Sequence, residues 1–468
     1  MGKLYLFGIG GTGSRVIKSL TMLLASGVEC GVDTIVPIII DPDESGADIT
    51  RTIDLLRKYS SIRERLDFDN ATPNQFFRTD LFEQVQNYRL PLNKTKDVKF
   101  KEYMEVSSLS EPNMALINML FSNKNLESDM KVGFKGNPNI GSVVLNQFGG
   151  SKEFADFANG FQKNDKIFII SSIFGGTGAS GFPLLLKTLR TAKSIPNFSL
   201  INQAEIGAIS VLPYFGVKQD KTKSEIDSGT FISKTKSALS YYYDNISETN
   251  SINALYYLAD DIRSQYDNNE GGSAQQNNAH FIELAAALAI IDFTKNDLSK
   301  SKNTVHKEFG IENDSQQIIF NDLGQETQDL IKKPLTQFIL FSKFLEEDCD
   351  RSYSTAPWAI DRKIDKSYLG SQFIRDLKSL QAVYLGWLEE MDSNERSFSP
   401  FVLDVKDFSF DFIKGVTPKK LPTLKSNYSL FNHRLSKQSV IKSSSKDHQF
   451  VELFFKATNQ LTEEKYNF

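Results

Sequence analysis

Apolar positions along the chain alternate between unbroken runs of strand length and stretches with helical spacing. Residues 3–7 (Lys-Leu-Tyr-Leu-Phe) are a buried-type strand, and from residue 14 onward Val16, Ile17, Leu20, Leu23 and Leu24 recur as they do on a helix. Thr34–Ile40 is a second strand, ending in Asp41-Pro42-Asp43-Glu44. Residues 45–131 read as mostly helical, with turn breaks at Pro73, Pro91 and Pro112. A third strand covers 166–171, and residues 182–189 begin the next helix, with Pro183 suited to a first turn. Residues 206–212 and Ala254–Leu258 are further strands, with a helix around 231–245 between them. Strands alternating with helices predict an α/β fold whose parallel sheet is covered on both faces.

Beyond this point the pattern changes. Residues 264–279 are polar and contain Gly271 and Gly272, as a mobile loop does. Residues 281–293 are apolar all round, which predicts a buried core helix within 279–293. The polar stretch 294–316 reads as the main junction, dividing a nucleotide-binding domain (1–300) from a C-terminal α+β domain (310–468). That second part carries an amphipathic helix with Phe373, Leu377, Leu380, Tyr384, Leu388 and Met391 on one stripe. Strand-like runs follow over 401–412, then a terminal helix around 451–461, with loops at 414–427 and 434–446. No internal repeat appears.

Composition narrows the classes. At 468 residues, with 40% hydrophobic and 24% charged, the chain suits a globular protein of two domains. A net charge of −4 gives no support for broad nucleic-acid or anionic-membrane binding. No apolar run is long enough to span a bilayer, and Gly8 interrupts the first one too early for a signal peptide. Cys30 and Cys349 are the only cysteines, read as reduced thiols of a cytoplasmic protein. The four histidines (His280, His306, His433, His448) show no metal-ligand spacing.

Two glycine loops carry the chemistry. Residues 8–13 read Gly-Ile-Gly-Gly-Thr-Gly and residues 175–181 read Gly-Gly-Thr-Gly-Ala-Ser-Gly. Each follows a strand and opens onto a helix. Free backbone N–H groups and the helix dipole then point at one spot, which favours an anion. Gly10, Gly11, Thr12 and Gly13 are candidate phosphate contacts in the first loop. In the second, amides from Gly175 through Ala179, including Gly176, Thr177 and Gly178, are candidates with the hydroxyls of Thr177 and Ser180. The first loop also satisfies the G-x-G-x-x-G fingerprint of dinucleotide-binding folds. No G-x-x-x-x-G-K-[ST] is present, so backbone dipoles and a metal ion must handle the phosphate charge without a cradle lysine.

With these loops the chain resembles the tubulin/FtsZ superfamily of GTPases. The family signature Gly-Gly-Gly-Thr-Gly-(Ser/Thr)-Gly is matched by Phe174-Gly175-Gly176-Thr177-Gly178-Ala179-Ser180-Gly181. Phe174 replaces the first glycine, and Ala179 is inserted before Ser180. The family's first loop, Gly-x-Gly-Gly-x-Gly, matches residues 8–13, and residues 133–141 (Gly-Phe-Lys-Gly-Asn-Pro-Asn-Ile-Gly) look like the loop that closes over the γ-phosphate. The resemblance therefore implies a Rossmann-like tubulin/FtsZ-type domain binding GTP or GDP with Mg²⁺. It implies phosphate contacts at Gly136 and Asn137, and magnesium near Asp41 and Asp43. It places Asp260 and Asn278 (with Asn277) beside the base. Asp260 stands where the family has Asn, and its carboxylate accepts from guanine N1 and N2. Family catalysis is completed by a neighbouring subunit's acidic loop. The corresponding residues here are Asp297 and Asp292, within a shortened motif. Self-assembly is implied, as is a further cytoplasmic partner through the C-terminal domain. The compact first loop and the insertion at 45–131 look most like divergent bacterial tubulin-like proteins.

Two other readings compete. Residues 8–13 followed by Ile-Ile-Ile-Asp41-Pro42-Asp43 are also similar to ThiF-like ATP-dependent adenylating enzymes, with Arg51 and Arg57 standing near the phosphates. Such enzymes often pair cysteines for zinc, which this chain does not, and the loop at 175–181 has no role in them. A nucleotide-gated scaffold that does not hydrolyse is the third reading.

Overall fold

Seven parallel strands form the central sheet: β1 (Leu4–Ile9), β2 (Thr34–Ile40), β3 (Asp80–Leu81), β4 (Lys166–Ser172), β5 (Ile206–Val211), β6 (Ala254–Leu258) and β7 (Val305–Phe309), in the spatial order β3-β2-β1-β4-β5-β6-β7. The computed structural model describes residues 2–43, 45–69, 72–95, 97–130, 134, 136–217, 228–261, 265–266, 277–299, 301, 303–309, 315–403, 409–420, 426–439 and 445–468. Leu4 is in register with Ile35 on one side and Lys166 on the other. The chain builds outward from β1 to β2 and β3, then returns to place β4 on the other flank. This reversal opens a crevice at the carboxyl ends of β1 and β4, where doubly wound sheets bind ligands.

Burial explains the continuous apolar runs. Every residue of β1 and β5 is buried, because helices cover both faces of the sheet. Leu4 and Leu6 face one core. Tyr5, Phe7 and Ile9 face the other. The first core holds α1 (Gly10–Ala25), α2 (Ala47–Arg63), α6 (Phe281–Lys295), α7 (Gln325–Glu347), α8 (Gln372–Asp392) and α9 (Lys446–Tyr466). The second holds α3 (Pro138–Leu145) and α4 (Gly176–Thr191), with α5 (Ser228–Tyr242) alongside. Among the described residues no helix is long and apolar enough to cross a membrane.

Several boundaries differ from the sequence reading. Both glycine loops are already helical: α1 starts at Gly10 and α4 at Gly176. Pro183 therefore lies in the interior of α4, where its missing N–H leaves the carbonyl of Ala179 without its helical donor. Tyr242 donates its hydroxyl to that carbonyl at 3.2 Å and fills the gap. The insertion at 45–131 contains long irregular stretches and supplies β3, in addition to α2 and the helix Glu111–Leu120. The stretch 294–316 is not only a junction, since β7 within it pairs with β6. Residues 401–412 form a single bridge, Phe401 to Ile413, and residues 404–408 lie outside the described residues. Part of the expected loop 434–446 is the end of the helix Asn427–Lys437. Most of the loop at 264–279, and residues 421–425 and 440–444, lie outside the described residues.

From residue 315 onward the described residues are largely helical, and their strands are one short parallel pair, Gln317–Ile318 with Ser397–Phe398. No break in the core marks the expected boundary near residues 300–310. Leu20 of α1, Ile290 of α6, Phe338 of α7 and Leu377 of α8 belong to one buried cluster. The apolar stripe of α8 faces inward onto α1, α2 and α7, which explains why it is so regular.

Candidate functional site

β1 and β4 are adjacent, so the helices that follow them start side by side. Gly10 has φ +75°, the left-handed region that favours glycine. A Cβ there would sit 3.7 Å from the Cβ of Thr177 and 3.9 Å from the amide of Gly178. The two glycine turns therefore touch. A Cβ on Gly176 would come within 2.9 Å of the amide of Asn137 and 3.2 Å of that of Gly136. Three turns far apart in sequence thus converge at the switch point of the sheet, where backbone conformation favours glycine at 10 and the close approach of Asn137 leaves no room for a side chain at 176. A Cβ on Gly178 would approach the amide of Ser172 to 2.8 Å. Gly13 packs equally closely on Gly8 of β1.

The polar candidates around these turns are engaged in different ways. Ser180 is buried, and its hydroxyl donates back to the carbonyl of Gly176 at 2.6 Å, so it braces the turn. Asn137 caps α3, its Oδ1 accepting from the amides of Asn139 (3.1 Å) and Ile140 (3.4 Å). Lys234 donates to the carbonyl of Gly136 at 2.5 Å. Asp41 and Asp43 follow β2, whose Ile40 is in register with Ile9, so both carboxylates lie beside the first turn. Asp41 Oδ1 accepts the amide of Asp43 at 2.9 Å, and Asp43 Oδ1 accepts the hydroxyl of Ser45 at 3.0 Å. Burial raises Asp41 to about 7. Among the described residues no cluster of three or more His, Cys, Asp or Glu is arranged to hold a metal alone.

Beneath the first turn lies a feature absent from the sequence reading. Every residue of α1 except Gly11 is buried, including Arg15 and Lys18. Buried cations need partners. Arg15 reaches Glu283 of α6 at 2.5 Å and Asp48 of α2 at 2.7 Å, and donates to the hydroxyl of Tyr214 at 2.9 Å. Asp48 also holds Arg51 at 2.8 Å, Arg51 holds Glu390 of α8 at 2.8 Å, and Glu390 holds Lys18 at 3.0 Å. Three cations and three carboxylates therefore staple four helices behind the glycine turns. Removing Asp48 or Glu283, which are buried against Arg15, costs about 3–5 kcal/mol, because it strands the opposite charge. The signal in the sequence is two basic residues one turn apart on an otherwise uncharged helix.

On the expected base side, Asp260 follows β6 and forms an almost fully buried ion pair with Arg396 from the C-terminal half. Asn278 is exposed, and its Nδ2 donates to the Ser393 hydroxyl at 3.4 Å. Asn277 donates its amide to Asp48 (3.4 Å) and its carbonyl accepts from Arg51 (2.7 Å). Arg51 thus belongs to the charge network. Arg57 bonds to Asn87 at the surface. Neither is thereby committed to the glycine turns, as the adenylating reading requires.

The two catalytic candidates lie at the other end of α6. The start of that helix touches Tyr214 beyond β5, whereas Thr294 near its end accepts the amide of Gly31, ahead of β2, at 3.0 Å. Lys166, the first residue of β4, donates to the carbonyl of Asn296 at 2.8 Å. A helix of 15 residues spans ~22 Å, so Asp292 and Asp297 do not meet the glycine turns within one molecule. Asp292 accepts from the Tyr256 hydroxyl (2.7 Å), Lys307 (2.5 Å) and Asn296 (3.1 Å). Asp297 is exposed, and its Oδ1 accepts from the Ser299 hydroxyl at 2.6 Å.

No family model matches the chain, and no curated protein sequence matches it either. Among solved structures it is similar to CetZ2 from Haloferax volcanii, a GTPγS-bound protofilament, at 13% identity and TM-score 0.32, over 63% of this chain and 58% of that one. It is also similar to the GDP-bound monomer of CetZ1 from the same organism, at 11% identity and TM-score 0.30, over 62% and 58%. CetZ from Methanosaeta thermophila follows at 16% identity and TM-score 0.25, over 55% and 46%. The matched region covers less than two thirds of each of these proteins.

Proposed function

We propose that the chain is a tubulin/FtsZ-like nucleotide-binding protein that grips the phosphates of GTP with main-chain amides. One observation carries this reading: Gly10–Gly13, Gly136–Asn137 and Gly175–Gly178 abut at the carboxyl ends of β1 and β4. Two adjacent helix starts that no side chain caps, those of α1 and α4, suit a polyphosphate. The donor set beside them suits magnesium in the same way. Asp41 and Asp43 supply two carboxylates, too few for an all-protein cage, and Mg²⁺ takes its remaining ligands from phosphate and water. When bound, the ion would neutralise charge on the phosphates.

The same reading assigns hydrolysis to a pair of molecules. Asp297 is exposed at the opposite end of the sheet from the glycine turns, the placement needed to meet the turns of a second copy stacked end to end. Asp292 is held by Lys307, Tyr256 and Asn296 and positions the end of α6. The resulting activity is a GTPase whose water is oriented by Asp297 of one copy against the γ-phosphate held by the next.

Titration of GTP, GDP and ATP into the purified chain tests the grip. Wild-type protein binds guanine nucleotides, and Gly178→Val, whose side chain collides with the backbone of Ser172, loses at least ~100-fold in affinity, about 2.7 kcal/mol. Unchanged GTP affinity in Gly178→Val removes the second turn from the site.

A further inference from the structure

A concavity of about 900 Å³ runs along the flank of α4, from Gly175 and Ala179 of the second glycine turn to Arg190 and Thr191 at the far end of the helix. Small-molecule sites run from ~300 to ~1,000 Å³ and are mostly apolar with a few convergent polar groups. Here Leu184 and Leu186 of α4 face Ala238 and Tyr241 of α5. Ser142, Ser233 and Ser237 add hydroxyls along the rim. The far wall ends in Ile246, within a π-helical turn over Tyr243–Ser247. Such turns are rare and occur frequently at functional sites.

Charge distinguishes this groove from an ordinary surface furrow. Lys187, Arg190 and Lys234 line it, and among its described lining residues there is no Asp or Glu. Arg190 spends its hydrogen bonds on neutral acceptors: the carbonyls of Ser251 (2.7 Å), Asn202 (2.6 Å) and Ala204 (3.1 Å), and Oδ1 of Asn253 (3.5 Å). Burial lowers it to about 10, which leaves it a cation at neutral pH. Lys187 is exposed one turn earlier on the same helix. A partly buried cation bonded only to neutral groups attracts an anion.

We propose that this groove is a binding site for a small amphipathic organic anion. Its acidic group lies near Lys187 and Arg190, and its flat apolar body lies against Leu184, Ala238 and Tyr241. The floor of the groove includes Gly175, Ala179 and Ser180, the back of the second glycine turn. An occupant therefore touches the Tyr242–Ala179 and Lys234–Gly136 bonds that hold two of the three turns.

The probe is 8-anilinonaphthalene-1-sulfonate, titrated into the full chain beside its uncharged analogue N-phenyl-1-naphthylamine. The sulfonate binds one per chain, about tenfold more tightly than the neutral dye. Lys187→Glu weakens the sulfonate about tenfold and leaves the neutral dye unchanged, while Ala238→Trp, which fills the groove, removes both. Equal affinity for the two dyes, sulfonate binding unaltered in either variant, or displacement of the dye by millimolar GTP each overturns the proposal. Displacement would place the dye in the phosphate crevice. Loss of GTP binding with dye binding intact would instead count against the nucleotide reading alone.

Discussion

His280 shows how much one side chain at the crevice depends on burial. It caps α6, its Nδ1 accepting the amide of Ile282 at 3.1 Å, and its ring lies 4.9 Å from that of Tyr214. Burial pulls its pKa from 6.5 down to about 4, against the attraction of Asp260 and with the help of Arg15 and Arg396. The folded form thus holds neutral imidazole, whereas the unfolded chain takes up a proton below pH 6.5. The stabilisation is complete above pH 6.5, declines as pH falls toward 4, and reaches a loss of ~3 kcal/mol below that. Urea midpoints measured across this range should show the decline. They should show it flattened in His280→Asn, which keeps a capping acceptor but does not titrate. At this scale the glycines were legible, because their spacing is local. The Arg15 network was not. Residues 15, 48, 283 and 390 are remote in sequence, and periodicity identifies which positions are buried without saying what they meet.

Elements were legible where burial is uniform and illegible where it is one-sided. β1, β2, β4, β5 and β6 declare themselves as apolar runs because helices cover both faces. β7 reads Val-His-Lys-Glu-Phe and escaped notice because it is the edge strand, where polar residues blunt unwanted pairing. The start of α4 was misplaced for a different reason. Pro183 signals a first turn, yet here the helix begins seven residues earlier and a tyrosine from another segment supplies the missing donor. Tyr242→Phe keeps the ring packed on Phe182 but leaves the Ala179 carbonyl unpaired. It should cost about 1–3 kcal/mol in chemical denaturation. A smaller effect would mean that water replaces the phenol.

For the molecule as a whole, a parallel sheet covered on both faces followed from strands alternating with helices, whereas the order of its strands and the sharing of one core by both halves did not. That sharing depends on α8 presenting its stripe to α1 and α2, a pairing across more than 300 residues of chain. The separation of Asp297 from the glycine turns gives the proposed GTPase a signature. Specific activity should rise with protein concentration, and Asp297→Ala should lower turnover about 100-fold while leaving GTP affinity unchanged. Concentration-independent turnover, or a variant as fast as wild type, would place the water-orienting group within a single copy. The opposed placement also makes any stack of copies directional. One terminus would offer a nucleotide with no carboxylate above it, and the other a carboxylate with no nucleotide below. Growth and loss at those two tips would then obey different chemistry, set by which face of the last molecule is left bare.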